Sequence, residues 1–122
     1  MISNKVAVIT GGANGIGKAT IEKFLQHNAR VAVIDIDNRG KELCQTWQNK
    51  GHNVNFYICD ITDYDTVIKT FSLINSDFGQ IDILINNAGI TKDASIKKMT
   101  PEQWQQVINV NLTGVFLSLI HI

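Results

Sequence analysis

The sequence predicts an α/β fold, a doubly wound parallel sheet truncated after its fourth strand and the helix that follows, and two patterns carry that expectation. Short apolar runs rich in Val and Ile recur along the 122 residues, and longer amphipathic stretches fill the gaps between them. Runs that are apolar on both faces suit strands buried in a parallel sheet, and the alternation β-α-β-α-β-α-β requires right-handed crossovers.

Val6–Ile9 is read as the first strand, and a helix over Ile16–Asn28 follows it. Val31–Ile34 is the second strand, Arg39–Lys50 the second helix and Val54–Ile58 the third strand. In the third helix, Asp65–Phe78, Val67, Phe71 and Ile74 repeat at helical spacing with Leu73 beside the stripe. Ile81–Ile85 is the fourth strand. A fourth helix opens after Thr100-Pro101-Glu102-Gln103, with Thr100 as N-cap, the only proline at the first helical position, and Gln103 closing a capping box. The expected strand order is 3-2-1-4.

Composition narrows the function classes. Eleven basic residues balance eleven acidic ones, which argues against a nucleic-acid footprint. Val6–Ile9 is too short for a signal-peptide core or a membrane span, so no membrane partner is expected. Cys44 and Cys59 show neither C-x-x-C spacing nor a histidine placed for metal, so no metal site is expected. They read as buried or half-buried free thiols in a reducing cytoplasm.

Gly11, Gly15 and Gly17 follow the first strand and open the first helix. The chain must turn sharply there, let a pyrophosphate approach the backbone, and pack helix against strand, all of which side chains obstruct. Free N–H groups and the positive end of the helix dipole favour phosphate. The competing explanation is a plain strand-to-helix turn. A second competitor is the P-loop of nucleoside triphosphatases, because Gly12-Ala13-Asn14-Gly15-Ile16-Gly17-Lys18 matches G-x-x-x-x-G-K. That motif needs Ser or Thr after the lysine for magnesium, and Ala19 stands there, with Thr20 about 100° away around a helix.

Asp35 ends the second strand 18 residues after Gly17, where an acidic residue accepts hydrogen bonds from the adenosine ribose hydroxyls. A 2′-phosphate is repelled by that carboxylate, and neither Asn14 nor Ile36 supplies a cation; Arg39 does so only if its loop folds back. NAD is therefore expected over NADP.

These residues resemble the short-chain dehydrogenase/reductase family, from about Lys5 to Phe116. Thr10–Gly17 matches the family's glycine motif, Asp60-Ile61 its acidic adenine contact after the third strand, Asn86-Asn87-Ala88-Gly89 its signature at the fourth, and Asn111 the asparagine of its Asn-Ser-Tyr-Lys tetrad. The resemblance implies a Rossmann-type domain, with cofactor contacts at Gly11, Asn14, Gly15, Ile16, Gly17, Asp35, Asp60, Ile61, Asn87, Ala88, Gly89 and Val110, and a catalytic role for Asn111. Ile90-Thr91-Lys92-Asp93, followed by Met99-Thr100 and Trp104, is most like the 3-oxoacyl-acyl-carrier-protein reductases of fatty acid biosynthesis and the acetoacetyl-CoA reductases. Asp35 departs from those, which usually prefer NADPH. That leaves an NAD-dependent alcohol, sugar or hydroxyacyl dehydrogenase as the alternative.

Each matched residue also has a reading of its own. Asp60 can cap a helix starting near Thr62, and the amides of Asn86 and Asn87 can tie backbones together. Asn111 shares a helical face with Trp104, Val107 and Ile108 and must find polar partners there. In the family, tyrosine transfers the proton, lysine lowers its pKa and serine positions substrate. Here Tyr57 is followed four positions later by Ile61, and Tyr64 by Ile68, so neither starts a Tyr-x-x-x-Lys pair. The catalytic Ser, Tyr and Lys are absent from this chain.

The expected organisation is therefore residues 1–116 as the N-terminal part of one NAD(P)-binding domain. Leu117-Ser118-Leu119-Ile120-His121-Ile122 spells one frame of a widely used transposase sequencing adapter and is expected to be read-through; the competing reading continues the apolar helical pattern of Val107, Val110, Leu112 and Phe116. The parent is expected to be a cytoplasmic, homo-oligomeric (homotetrameric) oxidoreductase with a small-molecule or acyl-thioester substrate. The other function class is a nucleotide-sensing or scaffold protein that kept the fold without catalysis.

Overall fold

Burial on both faces decides the centre of the molecule. Every residue of Val6–Thr10 (β1) is 0% exposed in the computed structural model, which describes residues 2–13, 15–88 and 100–109. Around this strand the order is α1 (Gly15–Gln26), β2 (Arg30–Asp35), α2 (Arg39–Asn49), β3 (Val54–Ile58), α3 (Tyr64–Phe78), β4 (Ile83–Asn86) and α4 (Pro101–Ile108). The four strands form one parallel sheet in the order β3-β2-β1-β4. This is the doubly wound architecture that the alternating pattern predicts, in the strand order expected of a Rossmann-type domain.

The pleat sorts the core into two layers. Val6 and Val8 of β1 and Ala32 and Ile34 of β2 pack with Val67, Phe71, Ile74 and Phe78 of α3. Ile9, Val31 and Val33 point to the other face, against Ile21 and Leu25 of α1 and Cys44 and Trp47 of α2. Thus α1 and α2 cover one face and α3 the other. Leu73, beside the buried stripe of α3, is 55% exposed.

Element ends follow local chemistry. Helix α1 stops at Gln26 rather than Asn28 because Asn28 takes φ +63°, a left-handed position that asparagine tolerates. Asp63 caps α3 by accepting a hydrogen bond from Thr66 N at 3.3 Å, and Gly79 closes that helix with φ +85°. Strand β4 starts at Ile83, two residues later than its apolar run. Asp82 instead accepts Val6 N–H on its carboxylate at 2.8 Å and donates its own N–H to Val6 O at 2.9 Å. The predicted capping box of α4 is present, with Gln103 N donating to Thr100 Oγ1 at 3.1 Å and Thr100 N to Gln103 Oε1 at 3.0 Å.

Both cysteines are free and buried, and burial pushes the Cys44 thiol up to about 12 and raises that of Cys59 as well. Among the described residues no group of three or more His, Cys, Asp or Glu is placed to hold a metal, and no helix is long and apolar enough to cross a membrane.

Candidate functional site

Strand β1 lies between β2 and β4, so the chain leaves it toward one side through α1 and returns to its other side through α3. Where neighbouring connections diverge, a crevice opens at the carboxyl ends of the strands. Thr10, the glycine loop and Asn86-Asn87-Ala88 all stand at that end.

The three glycines of the motif meet different demands there. Gly11 has φ +68°, and a Cβ on it would lie 2.7 Å from Ala88 Cα, so the β1 and β4 ends approach too closely for a side chain. On Gly17 a Cβ would lie 2.3 Å from Gly11 O and 2.5 Å from Asn87 Nδ2, so its absence lets α1 press against the loop. Gly15 has φ +60°, and the place of its missing Cβ faces open space with nothing within 4 Å. It opens α1, whose first turn carries no acidic side chain to offset the positive dipole end. Gly12, named from sequence only in the P-loop match and missed as a site residue, is also constrained: a Cβ there would meet Ile21 Cδ1 at 2.5 Å and Val33 Cγ1 at 2.8 Å.

Thr10 was likewise missed as a site residue. Its buried hydroxyl accepts N–H groups from Asn87 at 3.1 Å and Ala88 at 3.0 Å, which holds the β4 end against β1. Asn87 Nδ2 donates to Gly11 O at 2.9 Å. Of the two roles open to Asn87, its amide group performs the backbone tie. Asn86 is exposed at the end of β4.

Asp35 stands across the loop at the end of β2, half-buried. Its Oδ2 accepts Ala13 N–H at 2.9 Å and its Oδ1 accepts Asp37 N–H at 3.0 Å. Arg39, the one cation that sequence reasoning placed in reach, is held by Asp37, whose carboxylate accepts from Arg39 Nε at 2.8 Å and also from Nη2. Hydrogen bonding to Arg39 keeps the Asp37 carboxyl below its ordinary range. Ile36, between the two acids, is 67% exposed, and Ile16 at the start of α1 is 79% exposed.

Asp60 is exposed beyond β3, where its Oδ1 accepts from Thr62 N at 2.9 Å and Thr62 Oγ1 at 2.6 Å. It does not cap α3; Asp63 does, because that helix begins at Tyr64 rather than near Thr62. Ile61 is 5% exposed and packs into the α3-side core, which leaves its backbone as the part able to meet a ligand. Asn14, Gly89, Val110 and Asn111 lie outside the described residues. Tyr57 is held at the β3 edge, its hydroxyl donating to Asp77 Oδ2, away from the glycine loop. Thr20, which a P-loop would aim at magnesium, donates its hydroxyl back to Ile16 O at 2.7 Å within α1.

Comparison with known proteins gives a consistent family result. A family model described as short chain dehydrogenase matches residues 5–121. The chain is 41% identical over 116 residues to a 3-oxoacyl-acyl-carrier-protein reductase of Thermotoga maritima, a match covering 94% of this chain and 47% of that protein. Among solved structures, an NAD+-bound xylitol dehydrogenase superposes with a TM-score of 0.93 at 30% identity, covering 99% of this chain and 47% of that one. A gluconate 5-dehydrogenase from Burkholderia cenocepacia, in complex with NADP and tartrate, gives 0.91 at 26% identity, over 98% of this chain and 48% of that one. The chain thus spans about half the length of the proteins it matches.

Proposed function

The chain belongs to the short-chain dehydrogenase family, and on that premise we propose that the parent protein is an oxidoreductase that moves hydride between a nicotinamide cofactor and a carbonyl or alcohol carbon, with NAD preferred. The observation that carries this reading is the pairing of Gly15 with Asp35. Gly15 offers open space at a helix N-terminus, and Asp35 offers a half-buried carboxylate across the same loop. That arrangement fits a pyrophosphate at the first position and a ribose diol at the second.

Within this proposal Gly11, Gly15, Gly17 and the backbone of Ile16 receive the pyrophosphate, and Asp35 receives the adenosine ribose. Asp60 and the Ile61 backbone meet the adenine, and Ala88 leaves room for the nicotinamide-side ribose. Asn14, Gly89 and Val110 complete the contacts. The bound cofactor supplies the hydride chemistry; the protein orients it and manages the proton. Asn111 serves the proton relay of the family, and Ser, Tyr and Lys come from outside these 122 residues, so the 122-residue chain alone gives no turnover.

Two substrate classes have support. The likeness to a 3-oxoacyl-acyl-carrier-protein reductase of Thermotoga maritima supports a 3-oxoacyl thioester. Asp35 together with the NAD+-bound xylitol dehydrogenase favours a small alcohol or sugar. A cytoplasmic, homo-oligomeric parent goes with either.

The loop assignment is tested by Gly15→Val in the full-length protein. Calorimetry should show NAD affinity lost and a cooperative melt retained at a lower midpoint, since the side chain enters ligand space rather than the core and only backbone strain at φ +60° falls on stability. Unchanged affinity would refute the assignment. Assays of acetoacetyl-CoA reduction against polyol oxidation then separate the two substrate classes.

A further inference from the structure

We propose that Asp35 is a positioning residue for the glycine loop, in addition to receiving the ribose; the proposal rests on the cofactor reading above and deepens it. Strand β2 grips the loop at two points. One is Gly11 N–H donating to Ile34 O at 2.7 Å, a backbone bond independent of side-chain identity. The other is Ala13 N–H donating to Asp35 Oδ2 at 2.9 Å, and it exists only because residue 35 carries an acceptor.

Ala13 is 5% exposed, so water is a poor replacement for that acceptor. Gly15, where the loop opens to ligand, lies two residues beyond the Ala13 tether. The other carboxylate oxygen accepts Asp37 N–H at 3.0 Å, which fixes the carboxylate's own orientation. A carboxylate has about four lone-pair sites, so two backbone donors leave capacity for ribose hydroxyls. One side chain therefore serves both cofactor preference and the shape of the phosphate loop. Removing it to admit a 2′-phosphate loosens the loop that holds the pyrophosphate.

The test is a binding cycle on the full-length protein, using NADH and an NADH analogue whose adenosine lacks both ribose hydroxyls. A carboxylate acting on the ribose alone gives wild type and Asp35→Ala equal affinity for the analogue. Positioning instead makes Asp35→Ala bind the analogue about tenfold more weakly, the size of losing one hydrogen bond to a charged acceptor. Asp35→Asn keeps one oxygen for Ala13 N–H but turns its Nδ2 donor toward Asp37 N–H, so it should bind the analogue more tightly than Asp35→Ala and more weakly than wild type. Equal analogue affinity in wild type and Asp35→Ala overturns the proposal. Amide hydrogen exchange at Ala13 without cofactor gives a second readout: fastest in Asp35→Ala and intermediate in Asp35→Asn, whose single oxygen cannot serve both Ala13 and Asp37. Unchanged exchange in Asp35→Ala also overturns it. Wild type that binds neither NADH nor NADPH refutes the cofactor reading, while exchange at Ala13 still decides whether the carboxylate holds the loop.

Discussion

Strands β2 and β4 both lie against β1, yet the two seams are built from different chemistry. From Val6↔Arg30 to Thr10↔Ile34 the β1–β2 seam joins strands whose central residues are almost fully excluded from water. The β1–β4 seam runs from Ala7↔Ile83 to Thr10↔Asn86, and β4 is only half-buried. Polar clasps close its two ends: Asp82 on Val6 N–H at one, Thr10 and Asn87 at the other. Apolar burial holds the first seam, and directed hydrogen bonds hold the second. Within these 122 residues burial is therefore deeper on the β2 side of β1, and polar clasps align the β4 end with the candidate site.

The sharpest break of this comparison uses one row of the sheet, in which Ile9 lies between Val33 and Ile85. Ile9→Ala should cost about 2–5 kcal/mol, the range for emptying a fully buried isoleucine site. In the 122-residue chain Ile85→Ala, one strand over, should cost no more than about half of that, because its side chain there is partly in water. Denaturant titration of both variants checks the ratio; equal losses would mean that the two seams are energetically alike.

Gly17→Val comes next. Its side chain must displace Gly11 O and the Asn87 amide, so about 1–3 kcal/mol of stability should go, and cofactor affinity with it. Gly15→Val meets open space, so only the backbone strain of a side chain at φ +60° falls on the melt, and affinity should suffer more than stability. A reversed order would mean that the two glycines have been assigned the wrong roles. Asn87→Ala removes a single hydrogen bond to Gly11 O and should cost about 1 kcal/mol. Its effect should be larger in cofactor binding than in the melt if the β4 seam shapes the site.

Most of the fold was legible because apolar periodicity reports burial directly. The four strands, the helices between them and the capping box at Thr100 were all anticipated. The errors fell where a side chain intervenes in the backbone. Asp82 takes a ladder position and delays β4, and Asn28 takes a left-handed turn and shortens α1. Gly11, Gly15, Gly17 and Asp35 were singled out by residue type and spacing, and the structure brings them together at the carboxyl ends of β1 and β2. Thr10 and Gly12 were quoted within motifs but given no structural role, because the groups that constrain them, Asn87 for Thr10 and Ile21 with Val33 for Gly12, meet them only in the fold. Gly40 is similar: a Cβ there would lie 2.4 Å from Phe56 Cε1, which nothing in the second helix foretells.

Acid gives the smallest expected effect. The Val6 N–H bond holds the Asp82 carboxyl below its model-compound value of 3.8. A depressed folded-state pKa contributes stability above the unfolded value, and that contribution is lost as pH falls through the folded one. Wild type should therefore loosen at the amino end of β4 below about pH 4, seen as faster amide exchange at Val6. Asp82→Ala should exchange faster there already at neutral pH and show less acid dependence. A wild-type Val6 amide indifferent to acid would remove Asp82 from the list of clasps.

The proposed preference for NAD turns on Asp35, which stands across the glycine loop from Gly15. The most direct measurement is kcat/KM of the full-length protein with each cofactor on one substrate, repeated for Asp35→Ser. Wild type should favour NAD, because a 2′-phosphate meets the carboxylate while Arg39 stays engaged with Asp37. The serine variant should narrow that ratio. A wild-type kcat/KM clearly higher with NADP would contradict the assignment.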